Sequence, residues 1–493
     1  MAFNIGINVL ETDGTATPSI VGAATSVGAF LVRSTRGVPG EVYRVSSLPQ
    51  FREAFGPPQT GSFGYYAIKG FFDNGGAVAY VMRIADGAVA VPATNTFGAD
   101  LTVTASYLGT NDPGLWGNDV SVRVVANASV PNAYDLLVRY RGVDVEQWER
   151  LSNAAAPAVP ARGAAATIND PSSGSKYIRA TQLTANNPAA TVGFDPLTTG
   201  ADDTMNAAAI DTAVQNGWNA FDPFDVQLVA CPETNSATVV TAALTYCSNR
   251  GDCMYVGYTS ETDALNAARA YGQALRANKV YGAIYFPWIE VAAETGGRLF
   301  VPPVGHVMGV YARTEGERGI WKAPAGVQAQ VKGAVGLRQL IGDVDHTDLV
   351  KNGNVNALRF VSGAGIIVDS SRTLSTNPLW YYVNVRLLFN FVKTSLRQSL
   401  RWVVQEPNST ELWQKVKINS VTPFLMGLWR KGAFGPGAPG EVFTVICDAT
   451  NNTPANIQQG IFTVEVYFYP SRPAETVLIV VGQQEGGGSA KEA

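Results

Sequence analysis

The hydrophobic pattern divides the chain into blocks that switch between strand-like and helix-like periods. Val27-Gly28-Ala29-Phe30-Leu31-Val32 reads as a strand, closed by the turn residues Arg36-Gly37-Val38-Pro39-Gly40. Ser46-Ser47-Leu48-Pro49 reads as a helix start, with the Ser47 hydroxyl as cap and Pro49 tolerated in the first turn. Tyr65, Ile68 and Phe72 recur at i, i+3 and i+7, which predicts a helix over 64–72 that Asn74-Gly75-Gly76 stops. Residues 77–84 return as a strand. This first block is a compact α/β unit behind a polar, Gly/Thr-rich arm.

From 87 to 200 the texture changes. Short β-like runs at 101–106, 120–125 and 133–140 alternate with stretches rich in Ala, Pro, Asn and Gly, such as 153–163. That predicts a β-rich insertion with long loops facing solvent. From 201 to 345 strand and helix alternate: strands at 226–230, 254–258 and 281–286, with a helix at 263–279. Such alternation argues for a mostly parallel sheet with helices on its faces. The last block holds the longest predicted helix, 379–405, bracketed by Pro378 and Pro407. Phe462, Val464, Val466 and Phe468 alternate as a half-buried strand, and the apolar pentad Val477-Leu478-Ile479-Val480-Val481 precedes a polar tail. There is no internal repeat.

Composition narrows the function classes. Of 493 residues only 15% are charged, against about 25% in ordinary domains, while 46% are hydrophobic. So few charges on so long a chain suggest a surface covered by something else. A net charge of -4 argues against a nucleic-acid binder. Two histidines leave little for proton-shuttle or metal chemistry. Cys231, Cys247, Cys253 and Cys447 show no C-x-x-C pairing and read as buried free thiols. No run of about 18 apolar residues suggests a membrane span, and the first ten residues do not read as a signal peptide. Folding in a cytoplasm is expected.

Catalytic motifs are correspondingly thin. Gly435-Pro436-Gly437-Ala438-Pro439-Gly440 matches G-x-G-x-x-G by letters, but two prolines remove amide donors a phosphate would need, and no helix is expected to begin there. There is no Walker loop and no G-x-S-x-G elbow. His306 and His346 lack partners at helical or strand spacing and read as structural. No catalytic residue, metal ligand or cofactor is predicted.

Two features point to assembly instead. At 100° per residue, Arg386, Lys393, Arg397 and Arg401 fall within roughly 80° of one another on the 379–405 helix. No Asp or Glu lies between 379 and 405, so nothing within the helix neutralises this stripe. The stripe reads either as a solvated face or as an electrostatic contact with an acidic partner. The termini are the second feature. The arm, with Ile5, Ile7 and Val9, and the pentad Val477, Leu478, Ile479, Val480 and Val481 invite sheet completion by another chain, because an unprotected apolar edge is normally blunted. An internal strand within the same subunit is the alternative.

The chain resembles the tail sheath proteins of contractile phages and phage-tail-like injection systems. Near the start the resemblance rests on Thr25-Ser26-Val27-Gly28-Ala29-Phe30, Arg36-Gly37-Val38-Pro39, Phe71-Phe72-Asp73-Asn74-Gly75-Gly76 and Ala79-Tyr80-Val81-Met82-Arg83. In the middle it rests on Val301-Pro302-Pro303-Val304-Gly305-His306, Tyr311-Ala312-Arg313-Thr314 and Gly319-Ile320-Trp321-Lys322-Ala323-Pro324. Toward the end it rests on Asn356-Ala357-Leu358-Arg359, Arg372-Thr373-Leu374 and Pro470-Ser471-Arg472-Pro473-Ala474-Glu475. The order of these motifs is more specific than any one of them, and 87–200 is not covered. Val304 and Asp369-Ser370-Ser371 depart from the usual pattern.

The resemblance implies a mixed α/β, α+β multidomain fold. It is expected as an N-terminal linking arm (1–20), an inner domain from both chain ends (21–86 and 354–475), a β-rich outer insertion (87–200), a central α/β domain (201–353) and a C-terminal linking strand with tail (476–493). It implies a non-enzymatic structural subunit, assembled in a bacterial cytoplasm, that polymerises around an inner tube and contracts without nucleotide hydrolysis to drive the tube through a membrane. Its implied partners are further copies of itself, the tube protein, and baseplate and cap proteins, with no nucleic acid and no stable membrane insertion. The basic stripe would face the tube. The rival readings are an α/β enzyme with an unidentified site and a surface-layer or adhesin protein.

Overall fold

The computed structural model describes residues 19–86, 89–203 and 205–476. At its centre lies an eight-stranded sheet. From one edge the order is Gly365–Val368, Val355–Val361, Gly282–Phe286, Met254–Tyr258, Leu228–Ala230, Gly28–Val32, Ala79–Arg83 and Val42–Val45. The inner six strands run parallel, and each edge strand is antiparallel to its neighbour.

Parallel strands covered on both faces need apolar residues on both faces. Gly28–Val32, Met254–Tyr258 and Gly282–Phe286 are buried at every position. Phe30 and Val32 enter one core, with Phe71, Met308 and Leu388; Ala29 and Leu31 enter the other, with Trp218, Val240 and Cys247. Helices Gly64–Asp73, Val304–Arg318 and Val383–Ser399 supply side chains to the first core. Helices Ala207–Gly217, Ala237–Arg250 and Leu265–Ala274 supply the second.

The sheet runs across the boundaries expected at residues 86 and 353. Gly28–Val32 sits between Ala79–Arg83 and Leu228–Ala230, so the first block and the central region share one sheet. Both hydrogen-bonding edges of Gly28–Val32 are paired, one of them by a strand from the central region, so the first block does not close on itself. The mixed α/β character is as expected.

Local expectations hold where chemistry dictates them. Ser47 caps helix Leu48–Phe55 through the Gln50 amide, with Pro49 in the first turn. Other elements are shorter than the pattern suggested: the predicted 263–279 helix is Leu265–Ala274, and the 462–468 strand is Glu465–Phe468. The 379–405 helix is three pieces: a tight turn at Pro378–Trp380, a helix at Val383–Ser399 and a second turn at Arg401–Val403. Extended backbone at Tyr382 separates the first two. A short helix, Pro439–Val442, does begin in the Gly/Pro loop, contrary to expectation; Glu441 accepts from the Ala438 amide at its start. Four residues give it no phosphate-binding turn.

Between Arg83 and Ala207 the chain forms two further sheets, an antiparallel one of three strands and one of five that is antiparallel except where Val143–Ser152 pairs in parallel with Arg162–Gly163. They enclose their own core, including Leu101, Val122, Leu136 and Ile178. This insertion is fastened to the main sheet by a buried charge cluster. Asp112 lies 3.7 Å from Arg36 and 3.8 Å from Arg83, and accepts from the Gly37 amide at 2.6 Å. Arg83 also donates to the carbonyls of Gly37 and Pro113.

Candidate assembly interface

The basic residues of helix Val383–Ser399 do not form one uniform exposed stripe. Arg386 is buried, its guanidinium 4.0 Å from the Tyr281 ring centroid and 3.9 Å from that of Trp380. Burial pushes its pKa down to about 10. Lys393 is exposed, donates to the Gly251 carbonyl and lies 3.4 Å from the Tyr281 hydroxyl. Arg397 is exposed and pairs with Asp252 at 2.7 Å. Arg401, beyond the helix, is exposed without an ion pair among the described residues. Among the described residues, the carboxylate that meets the stripe is Asp252, just before the strand Met254–Tyr258; it pairs with Arg397 and is shared with Arg250 at 2.7 Å. A count of acids within the helix could not reveal it.

The same helix marks where the chain ends depart. Near its last turn, the amides of Val21 and Ala23 donate to Ser399 and Ser395 at 3.2 and 2.9 Å. At its first turn, Arg372 grips Glu475 through two hydrogen bonds of 2.5 and 2.6 Å, and the Tyr382 hydroxyl reaches the same carboxylate. With a rise of 1.5 Å per residue, these anchor points are about 25 Å apart along the helix. Ile5, Ile7, Val9 and Val477, Leu478, Ile479, Val480 and Val481 lie outside the described residues.

Beside this helix, Phe443–Ile446 pairs with Glu465–Phe468 in a two-stranded sheet whose outer edges are unpaired among the described residues. An isolated pair of strands is marginal without further strands or a covering helix. A groove of about 820 Å³ runs alongside, lined by Leu396, Leu400, Val404, Leu412, Phe462 and Val464 among others. Val404 is 69% exposed.

Residues from separate sequence motifs meet in space. Asn74 donates to the carbonyls of Gly70 and Lys332 and accepts from the Lys332 amide, while Arg313 donates to the Asn74 carbonyl. Asn356 and Arg372 exchange side-chain and backbone hydrogen bonds at 2.7 and 2.6 Å. Gly305 approaches helix Gly64–Asp73 so closely that a Cβ there would lie 1.9 Å from the Ala67 carbonyl oxygen. These contacts show what the small and amide-bearing side chains do at those positions.

Parallel α/β sheets bind ligands where strand order reverses, at the carboxyl ends of the strands. Here that crevice lies between Gly28–Val32 and Leu228–Ala230, and Glu233 occupies it. Its carboxylate accepts from the amides of Arg33, Phe63 and Gly64 and from the Ser62 hydroxyl. It thereby caps helix Gly64–Asp73, which has no side-chain cap at Phe63. The chain's own carboxylate fills the position where a ligand phosphate would meet a helix N-terminus. Glu233→Ala is expected to lower stability by about 2–3 kcal/mol through the orphaned amides. An unchanged denaturation midpoint would contradict this role.

The remaining candidate chemistry is structural. His306 is buried, and burial pushes its pKa down to about 4. His346 sits beside Arg359 and Asp369, its pKa lowered chiefly by burial. All four cysteines are free and buried. Among the described residues, no group of three His, Cys, Asp or Glu side chains is placed to hold a metal, and no helix is long and apolar enough to cross a membrane.

The phage tail sheath C-terminal domain family matches residues 375–483. The tail sheath protein of Enterobacteria phage T4 is 26% identical over 186 residues, 36% of this chain and 26% of that protein. The chain's match thus spans about a quarter of that relative's length. The sheath complex of an extracellular contractile injection system, PVC, solved in its contracted state, superposes with a TM-score of 0.62 at 18% identity, covering 98% of this chain and 99% of the other. A sheath tail protein from Listeria innocua gives 0.64 at 12% identity, covering 92% and 96%. Residues 375–483 thus match the phage tail sheath C-terminal domain family, and the chain has the fold seen in solved contractile sheath proteins.

Proposed function

We propose that this chain polymerises around an inner tube and contracts to drive the tube through a target membrane, using energy stored in its packing rather than nucleotide hydrolysis. The observation that carries the reading is the position of the two chain ends. They leave opposite ends of one helix, beside a two-stranded sheet whose edges are open among the described residues. The arm with Ile5, Ile7 and Val9 and the pentad Val477–Val481 add strands to such sheets in neighbouring copies. Main-chain hydrogen bonds then hold the lattice while subunits slide and rotate, a bistable packing of the same chain. The Glu233 plug supports a structural role over the enzyme reading. Assembly occurs in a bacterial cytoplasm, and baseplate and cap proteins terminate the lattice.

Lys393, Arg397 and Arg401 face the tube in this reading, while Arg386 fixes the helix against Tyr281 and Trp380. Arg397→Glu would set two carboxylates together at Asp252, so Arg401→Glu combined with Arg397→Gln is the cleaner variant. It is expected to weaken co-sedimentation with the tube protein about tenfold or more while the far-ultraviolet spectrum stays unchanged. Wild-type tube binding by this variant would refute the contact.

A further inference from the structure

A second cleft lies away from the chain ends, where the insertion meets the first block. It measures about 500 Å³ and is lined by Arg36, Arg52, Arg141, Lys176, Tyr140 and Tyr177, with Glu53, Gly56 and Pro57 completing the wall. In a chain with so few charges, four cations around one cleft are unusual. Two are balanced by acids: Arg141 pairs with Asp119 at 2.9 Å, and Lys176 pairs with Glu53. Arg36 shares Asp112 with Arg83, so one carboxylate faces two guanidiniums. Exposed Arg52 makes no ion pair among the described residues. Positive charge is left over.

The aromatic rings order this charge. Arg36 lies over Trp116 at 4.1 Å and over Tyr177 at 5.5 Å. Tyr177 packs on Tyr140 at 5.4 Å, and Arg141 lies 5.2 Å from the Tyr140 ring centroid. This alternating stack occupies ring faces and holds two guanidiniums in place, leaving donor edges for an oxyanion. Arg36 is only 5% exposed; its Nε faces the Asp112 carboxylate at 3.7 Å and its Nη2 donates to the Lys176 carbonyl at 2.6 Å, which fixes the guanidinium in the cleft wall.

We propose that this cleft binds a small, multiply charged oxyanion, a polyphosphate or polycarboxylate, with Arg52 and Arg141 at its mouth and Arg36 at its inner end. A ligand there touches both the insertion and the first block, so it fastens one to the other. The inference rests on the cleft alone, and its failure would leave the sheath reading untouched.

Isothermal titration of the full chain with pyrophosphate and, separately, citrate tests the site. Saturable binding is expected, weakened about tenfold or more by Arg52→Ala with Arg141→Ala, and largely kept by Arg52→Lys. Pyrophosphate binding alone would identify the phosphate class, and citrate binding alone the carboxylate class. Binding of neither, or binding that survives the double alanine substitution, would overturn the proposal.

Discussion

Removal of residues 477–493 is expected to give a soluble, folded subunit that no longer assembles. The truncation leaves the Arg372–Glu475 clasp and the core of the 383–399 helix in place, so the fold should be retained. What it removes is the apolar pentad Val477–Val481, which has neither charge nor proline to protect an edge. Each main-chain hydrogen bond in a donated strand contributes about 0.5–1.5 kcal/mol, so a five-residue strand contributes several kcal/mol per link. Every subunit in a lattice repeats that loss. Analytical ultracentrifugation should therefore show discrete small species with an unchanged circular dichroism spectrum. Sheath-sized particles from the truncated chain would refute strand donation.

The second large effect is expected at Asp112. Burial pushes its pKa up to about 6, against the pull of Arg36, Arg83 and the Gly37 amide. Because the folded value lies above the ordinary one, the stability this carboxyl contributes is fully present below about pH 4 and lost as pH rises through 6. At neutral pH its burial is therefore a cost, and its use is to hold the two arginines. Asp112→Ala leaves both guanidiniums without a counter-charge and removes the Gly37 acceptor, a loss of about 3–5 kcal/mol. Asp112→Asn keeps that acceptor and should cost less. Thermal unfolding with limited proteolysis of the insertion would check both, and equal stability of all three proteins would contradict the account.

What could be read from the sequence depended on how local the cause was. The strand at Gly28–Val32, the Ser47 cap and the stop after Asp73 follow from neighbouring residues, and they were legible. The junction between blocks was not, because the partners of Gly28–Val32 lie about 50 and 200 residues away. The basic stripe shows the same limit. Spacing placed Arg386, Lys393, Arg397 and Arg401 near one face, but Tyr281, Trp380 and Asp252 decide which of them meets solvent. The Glu233 plug left no sequence signal, since its donors at 33 and 62–64 become neighbours only in the folded sheet. Motif order succeeded where spacing failed: Asn74, Arg313, Asn356 and Arg372 hold segments together across the fold.

Negative-stain electron microscopy of the purified 493-residue chain, alone and with a tube protein, tests most directly whether this chain builds a sheath. The account predicts long, hollow, helically striated cylinders whose diameter distinguishes a contracted from an extended lattice. Discrete monomers or dimers under every condition would contradict it.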